Sequence, residues 1–275
     1  MADDFNLDAY FARVGYGGPV RADLATLSAL HAAHVAAIPF ENLDPLTARS
    51  VRLDLASLQA KMVQGRRGGY CFEQNHLFRA ALEAIGFTAT GLGGRVVWSA
   101  PPGAPLGPRL HMLLKMEVGG AAYLADVGFG AHLLDAPLRF EPGLEQETAV
   151  ARYRLQQEEG LIALATWQND DWRRCYVFDL TPQLPSDYAI SNWFASTSPD
   201  FLLTNVLLAE RLTAEARWTL VDTRLTERRL GGAVDERTLE SSDQLAAVLD
   251  EVFDLEPPVP AAQVFAKIAG PKVAA

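Results

Sequence analysis

Two cysteines occur among the 275 residues. One of them, Cys71, sits where a glycine-rich loop gives way to a helical pattern, in "RRGGYCFEQN" (66–75). A thiol at a helix start meets unbonded backbone N–H groups and the positive end of the helix dipole, and both favour the thiolate. The thiolate is the nucleophilic form of cysteine. Gly68 and Gly69 leave room for backbone or ligand to come close. A buried, unreactive thiol is the commoner fate of a lone cysteine, so position alone leaves both readings open.

A nucleophile of this kind needs a base, and the base needs an orienting acid. The run "HMLLKMEVGGAAYLADVGFG" (111–130) offers a candidate for each. Gly119-Gly120 between two alternating stretches predicts a two-residue hairpin turn. With that turn Val118 faces Ala121, Lys115 faces Leu124 and His111 faces Gly128. Asp126 then shares a sheet face with His111, one diagonal step away. Diagonal neighbours lie about 7–8 Å apart at the backbone, within reach of an imidazole–carboxylate hydrogen bond. A one-residue slip would send Asp126 to the opposite face. Singly, His111 reads as a strand histidine and Asp126 as a turn initiator. Together with a thiol at a helix start, they fit acyl-transfer chemistry.

The elements that must carry these residues follow from periodicity. The first third reads as helical. Leu24, Leu27, Leu30, His31, His34 and Val35 share one face behind an Asp23 cap, and the helix ends before Pro39. A shorter amphipathic piece starts near Asp54. After the glycines Phe78, Ala81, Leu82 and Ile85 recur at helical spacing up to a stop at Gly86. From about residue 87 the period becomes two. "RVVW", "HMLLKMEV", "AAYLADV", "RYRL", "GLIALATW" and "WRRCYVFDL" predict a mostly antiparallel sheet. The last part mixes strands ("RWTLVDTRLTERRL") with a helix at "SSDQLAAVLDEVF". This order predicts an α+β protein in three regions: helical 1–86 with Cys71, β 87–190 with His111 and Asp126, and mixed 191–275. His31, His34 and Cys175 read as core, "IPFENL" (38–43) as a structural loop, and "DVGFG" as a tight turn that could also cradle phosphate.

The net charge of −10 argues against a nucleic-acid surface. Two cysteines and five histidines without paired-ligand spacing argue against a metal. No stretch nears the roughly 18 apolar residues of a membrane span, and "MADDFNLDAYF" lacks the features of a leader. A cytoplasmic protein is expected.

"RRGGYCFEQN", "LHAAH" followed by "IPFENL", "HMLL…YLADVGFG" and "FDLTPQLPSDYAISNWFASTSP" resemble the arylamine N-acetyltransferase family, over about residues 8 to 212. The resemblance implies a papain-like (cysteine proteinase-like) core with an N-terminal helical region, a β-barrel region, and a linker helix with a C-terminal α/β lid. It implies that Cys71 takes acetyl from acetyl-CoA as a thioester, with His111 as base and Asp126 orienting it. An arylamine, hydrazine or hydroxylamine would then attack, in ping-pong order and without a metal. The Cys71 N–H would be an oxyanion donor. Val97, Trp98, Phe129 and Gly130 would line the cleft for acetyl-CoA and amine, with Phe201 beside them. Leu110 stands where the family carries a small hydroxyl residue, which bears on the cofactor contacts. Other readings of the same residues are a papain-like protease or transglutaminase relative, an amide synthase using a carrier-bound acyl chain, and a non-catalytic module for CoA-like ligands. Small-molecule partners are expected, without nucleic acid or membrane, and the oligomeric state is left open.

Overall fold

The computed structural model describes residues 5–101 and 103–270. The first four residues, part of the stretch read above for a leader, lie outside them. The helical region holds α1 (Leu7–Val14), α2 (Leu24–Ala37), the short strand β1 (Phe40–Glu41), α3 (Leu43–Leu46), α4 (Leu55–Leu58) and α5 (Cys71–Ile85). Asp23 caps α2 by accepting from the Thr26 amide, and Asp54 caps α4 through Ser57. From Gln59 to Gln64 the chain continues from α4 as a π-helix, which helical spacing does not announce. Gly86 ends α5 in the left-handed region at φ 105°. Leu27 and Leu30 of α2 and Phe72, Phe78 and Leu82 of α5 are fully buried in one shared core. At roughly 1.5–3 kcal/mol for each large apolar side chain, this packing fixes the axis of α5.

The β region consists of β2 (Thr88–Val96), β3 (His111–Val118), β4 (Ala121–Ala125), β5 (Leu138–Arg139), β6 (Glu145–Glu147), β7 (Arg152–Glu158), β8 (Leu161–Gln168) and β9 (Asp171–Pro182). Among the described residues these pair antiparallel into one sheet ordered β5-β4-β3-β2-β9-β8-β7-β6. Its edges nearly meet: the Gln146 amide of β6 bonds both the N–H and the C=O of Arg139 on β5, at 2.6 and 3.0 Å. The β3–β4 hairpin has the register expected from its Gly-Gly turn, Val118 opposite Ala121 and Lys115 opposite Leu124. β2 stops at Val96, so Val97 and Trp98 of the expected strand "RVVW" lie just beyond it.

Helices α6 (Pro185–Thr197) and α7 (Leu202–Asn205) lead into the lid, and α6 runs across position 190. The lid comprises β10 (Leu208–Leu212), β11 (Ala216–Val221), β12 (Arg224–Arg229), β13 (Val234–Thr238), α8 (Ser242–Glu251) and α9 (Ala261–Ile268). Its sheet runs β1-β10-β11-β12-β13, so the helical region contributes Phe40 and Glu41 as an edge strand. Leu220, Leu225, Leu245, Leu249 and Phe253 form the lid's own core. Among the described residues no helix is long and apolar enough to cross a membrane. The whole is the expected α+β arrangement.

Candidate active site

Cys71 is the first residue of α5, so its N–H has no acceptor within the helix. Tyr70 precedes it as N-cap, and Glu73 reaches back to accept from the Tyr70 amide at 3.1 Å. The loop before it is held from below by a buried charged cluster. Lys61 lies 2.6 Å from both Glu73 and Asp44, and Arg67 lies 2.7 Å from Glu41 and 3.2 Å from Asp44. Gln74 adds a second brace, donating to the Pro39 carbonyl at 2.7 Å while its oxygen meets His34. Gly68 is obligatory here, because a Cβ would fall 1.9 Å from the Pro39 oxygen.

His111 opens β3, and Asp126 follows the end of β4. The hairpin turn brings them together: His111 Nε2 lies 2.6 Å from Asp126 Oδ2. That leaves Nδ1 toward Cys71, whose side chain hydrogen-bonds the imidazole. The Cys71 sulfur also lies 3.6 Å from the Leu110 carbonyl. Cys71, His111 and Asp126 are 6%, 2% and 0% exposed, so the group is nearly dry and its electrostatic interactions are strong.

Asp126 is fully committed. Oδ2 also accepts from the Tyr176 hydroxyl at 2.8 Å; Oδ1 accepts from Asn75 Nδ2 at 3.0 Å and from the Gly128 N–H at 2.9 Å. Burial alone would raise this carboxyl, but His111 and these donors hold it below the usual carboxylate range. Burial would likewise lower His111, yet the Asp126 charge outweighs it, with Cys71 assisting. The imidazole is pushed up to about 10. At neutral pH it therefore carries both protons and presents a positive charge to Cys71.

Phe129 meets His111 edge-on at 5.4 Å between ring centroids and Trp98 at 6.0 Å. Gly130 abuts the Phe40 ring, which a Cβ would approach to 2.3 Å. Val97 is tied to the barrel through its amide and the Cys175 carbonyl. Phe201 packs on Phe194 and against the core that holds Phe40 and Cys71. Cys175 is fully buried on β9, and burial pushes its thiol up, as suits a core residue.

Three supporting residues escaped the reading of the sequence. Asn75 lies one turn after Cys71 on α5 and bonds both the Met112 carbonyl and Asp126, so the spacing was a usable signal. Tyr176 packs its ring, tilted, against His111 at 4.6 Å from an otherwise ordinary buried strand, which gives no signal. His31 is a core histidine with a further duty. Its Nε2 accepts from the Asp126 amide at 3.3 Å, and burial keeps it neutral, down to about 4. Among the described residues no three His, Cys, Asp or Glu side chains are gathered as a metal ion would require.

The N-acetyltransferase family model matches residues 23–261. The arylamine N-acetyltransferase of Escherichia coli is 41% identical over 250 residues, covering 90% of this chain and 88% of its own. That of Mycolicibacterium smegmatis is 39% identical over 252 residues, covering 90% of each. Among solved structures, the Salmonella typhimurium arylamine N-acetyltransferase superposes with a TM-score of 0.90 at 37% identity, over 96% of this chain and 97% of that one. The Mycobacterium marinum enzyme in complex with CoA gives 0.91 at 35% identity, over 96% and 98%. The chain belongs to the arylamine N-acetyltransferase family of acetyl-transferring enzymes, and it has their α+β fold.

Proposed function

We propose that this enzyme moves acetyl from acetyl-CoA to the nitrogen of an arylamine or hydrazine through a Cys71 thioester. The observation that carries the proposal is the contact of Cys71 with an imidazole that Asp126 keeps protonated. The Cys71 thiolate attacks the thioester carbonyl of acetyl-CoA. The new C–S bond gives a tetrahedral oxyanion; on its collapse the C–S bond to CoA breaks, and His111 gives its proton to the departing CoA sulfur. The Cys71 amide, free at the start of α5, donates to the oxyanion. In the second half-reaction His111, now neutral, takes the proton of the attacking amine, and the Cys71 thiolate leaves. Amines of low basicity suit this step because they remain unprotonated at neutral pH. A hydroxylamine oxygen can attack in the same way, in keeping with the Salmonella typhimurium relative named N-hydroxyarylamine O-acetyltransferase. Phe129, Gly130, Trp98, Val97 and Phe201 form the walls along which acetyl-CoA and amine lie. Both partners are small molecules, the setting is the cytoplasm, and one copy of the chain supplies the whole reacting group.

Intact-protein mass spectrometry after mixing with acetyl-CoA alone tests this. One acetyl adduct is expected on the wild type and none on Cys71→Ala, with the adduct lost on adding an arylamine. A wild-type protein that gains no acetyl, or a Cys71→Ala protein that still acetylates the amine, sinks the proposal.

A further inference from the structure

Strand β4 ends at Ala125, whose partner across the hairpin is Leu114. Asp126, one residue on, is fully buried, and its amide has left the ladder. A buried backbone N–H must find an acceptor elsewhere. Here the acceptor is His31 Nε2 on α2, at 3.3 Å. The next amide, that of Val127, donates to Asn75 Oδ1 of α5 at 3.2 Å. Two helices thus grip two successive amides, and these flank the Cα that carries the carboxylate. The side-chain bonds of Asp126 do not all fix it in space. Gly128, which donates to Oδ1, belongs to the same loop and moves with it. His111, which meets Oδ2, is the group to be aimed at.

His31 holds this amide at the expense of its own second nitrogen. A ring nitrogen accepts only when it carries no proton, so the single proton of the neutral ring sits on Nδ1. Nδ1 is buried and closes no aligned hydrogen bond; the Asp135 main chain stands beside the ring. The opposite tautomer would free Nδ1 to accept, but it would set Nε2–H head-on against the Asp126 N–H. His34, one turn along α2, shows what an ordinary buried histidine achieves in this core. Its Nδ1 meets the Tyr10 hydroxyl at 2.9 Å and its Nε2 meets Gln74 at 2.7 Å. Both rings lie edge-on to Phe78 of α5, at 5.7 and 5.2 Å. Packing is common to the two, and the bond to Asp126 sets His31 apart.

We infer that His31 is a positioning residue of the reaction, holding the Asp126 main chain so that the carboxylate meets His111 Nε2. It touches neither the sulfur nor the imidazole, and acts only through Asp126.

The inference rests on Cys71, His111 and Asp126 being the reacting group. Its test compares His31→Gln with His31→Met. The two replacements have the same reach, but only glutamine brings an oxygen to the place of Nε2. In the methionine variant the saturating rate of single-turnover acetylation is expected to fall about tenfold. The acetyl-CoA concentration giving half that rate should not change, because His31 is fully buried. An imidazole 15N titration reads the cause. His111 should lose its second proton about one pH unit lower than in the wild type, since the Asp126 charge does most to raise it. Glutamine should restore the wild-type titration and bring the rate back to within about threefold. Equal behaviour of the two variants overturns the inference, as does a slow methionine variant whose His111 titrates like the wild type; the ring then only fills space. Should the methionine variant not fold, the same spectra of the wild type decide. A protonated Nδ1 and a bare Nε2 on His31 at neutral pH uphold the inference, and a proton on Nε2 overturns it. An Asp126→Asn enzyme of undiminished rate fells the assignment of the reacting group itself, and this inference with it.

Discussion

Asp126 is the residue on which the electrostatics of the site turn. Its two oxygens receive four hydrogen bonds, and it does most to offset the burial that would otherwise strip His111 of its proton. Asp126→Asn leaves only Cys71 to oppose that burial, so His111 drops from about 10 and gives up its second proton at neutral pH. Cys71 then loses the positive charge beside it. Iodoacetamide should alkylate Cys71 markedly more slowly in the variant at neutral pH, and kcat should fall by about a hundred- to ten-thousand-fold. A folded variant alkylated as fast as the wild type would remove Asp126 from this role. Stability carries the same signature. A histidine raised by folding stabilises fully below its unfolded value, near 6.5, and loses that contribution as pH rises through about 10. Denaturant midpoints of the wild type should therefore decline across that alkaline window. The decline attributable to His111 should be missing in Asp126→Asn.

Helix and hairpin meet across a single glycine. A Cβ on Gly128 would lie 2.7 Å from the Cys71 Cα and 2.8 Å from Asn75 Nδ2. The Cα cannot step aside without moving α5. Gly128→Ala should therefore push the start of α5 away from the loop that carries Asp126. Overpacking of this kind costs about 1–3 kcal/mol, and the acetylation rate should fall more than tenfold, because reacting groups tolerate little displacement. Stopped-flow acetylation of the folded variant checks it; a rate within twofold of wild type would show that the approach is slack. The same elements show what sequence can and cannot announce. The register of β3 and β4 was readable because a Gly-Gly turn leaves few ways to pair two alternating runs, and that register places His111 and Asp126 on one face. Helix starts at Asp23 and Asp54 were readable because a cap is a local event. The π-helix at 59–64 was not, since its apolar spacing is helical and only its hydrogen bonds differ. Nor was β1, two residues long, whose partner β10 lies some 170 residues away. Tyr176 and the Lys61–Arg67 cluster were hidden for the same reason. Their partners come from distant elements, and an ordinary tyrosine or a charge pair carries no local mark of that.

At the scale of the molecule, barrel and lid are joined by a buried pair that grips a backbone. Glu210 on β10 lies 2.8 Å from Arg217 on β11. Glu210 accepts from the Leu133 N–H at 3.0 Å, and Arg217 donates to the Leu133 carbonyl at 3.1 Å. Leu133 belongs to the loop that runs on from Phe129 and Gly130, so the lid holds that loop by its main chain. Burial raises the Glu210 carboxyl despite Arg217, which marks the pair as costly to form. A plain buried ion pair can often be replaced by apolar residues at little loss, whereas removing one partner alone costs about 3–5 kcal/mol. A backbone grip behaves otherwise. With Glu210→Met and Arg217→Met combined, the Leu133 N–H is left buried without a partner, at about 1–3 kcal/mol, and the C=O keeps only the Tyr153 hydroxyl at 3.5 Å. The double variant should thus remain about 1–3 kcal/mol less stable in denaturant unfolding, by that same reckoning. The Leu133 amide should also exchange its hydrogen much faster than in the wild type. Recovery of wild-type stability by the double replacement would mean that the pair serves only itself. The loop carrying Phe129 would then have to be held by its own packing against His111, Trp98 and Tyr176.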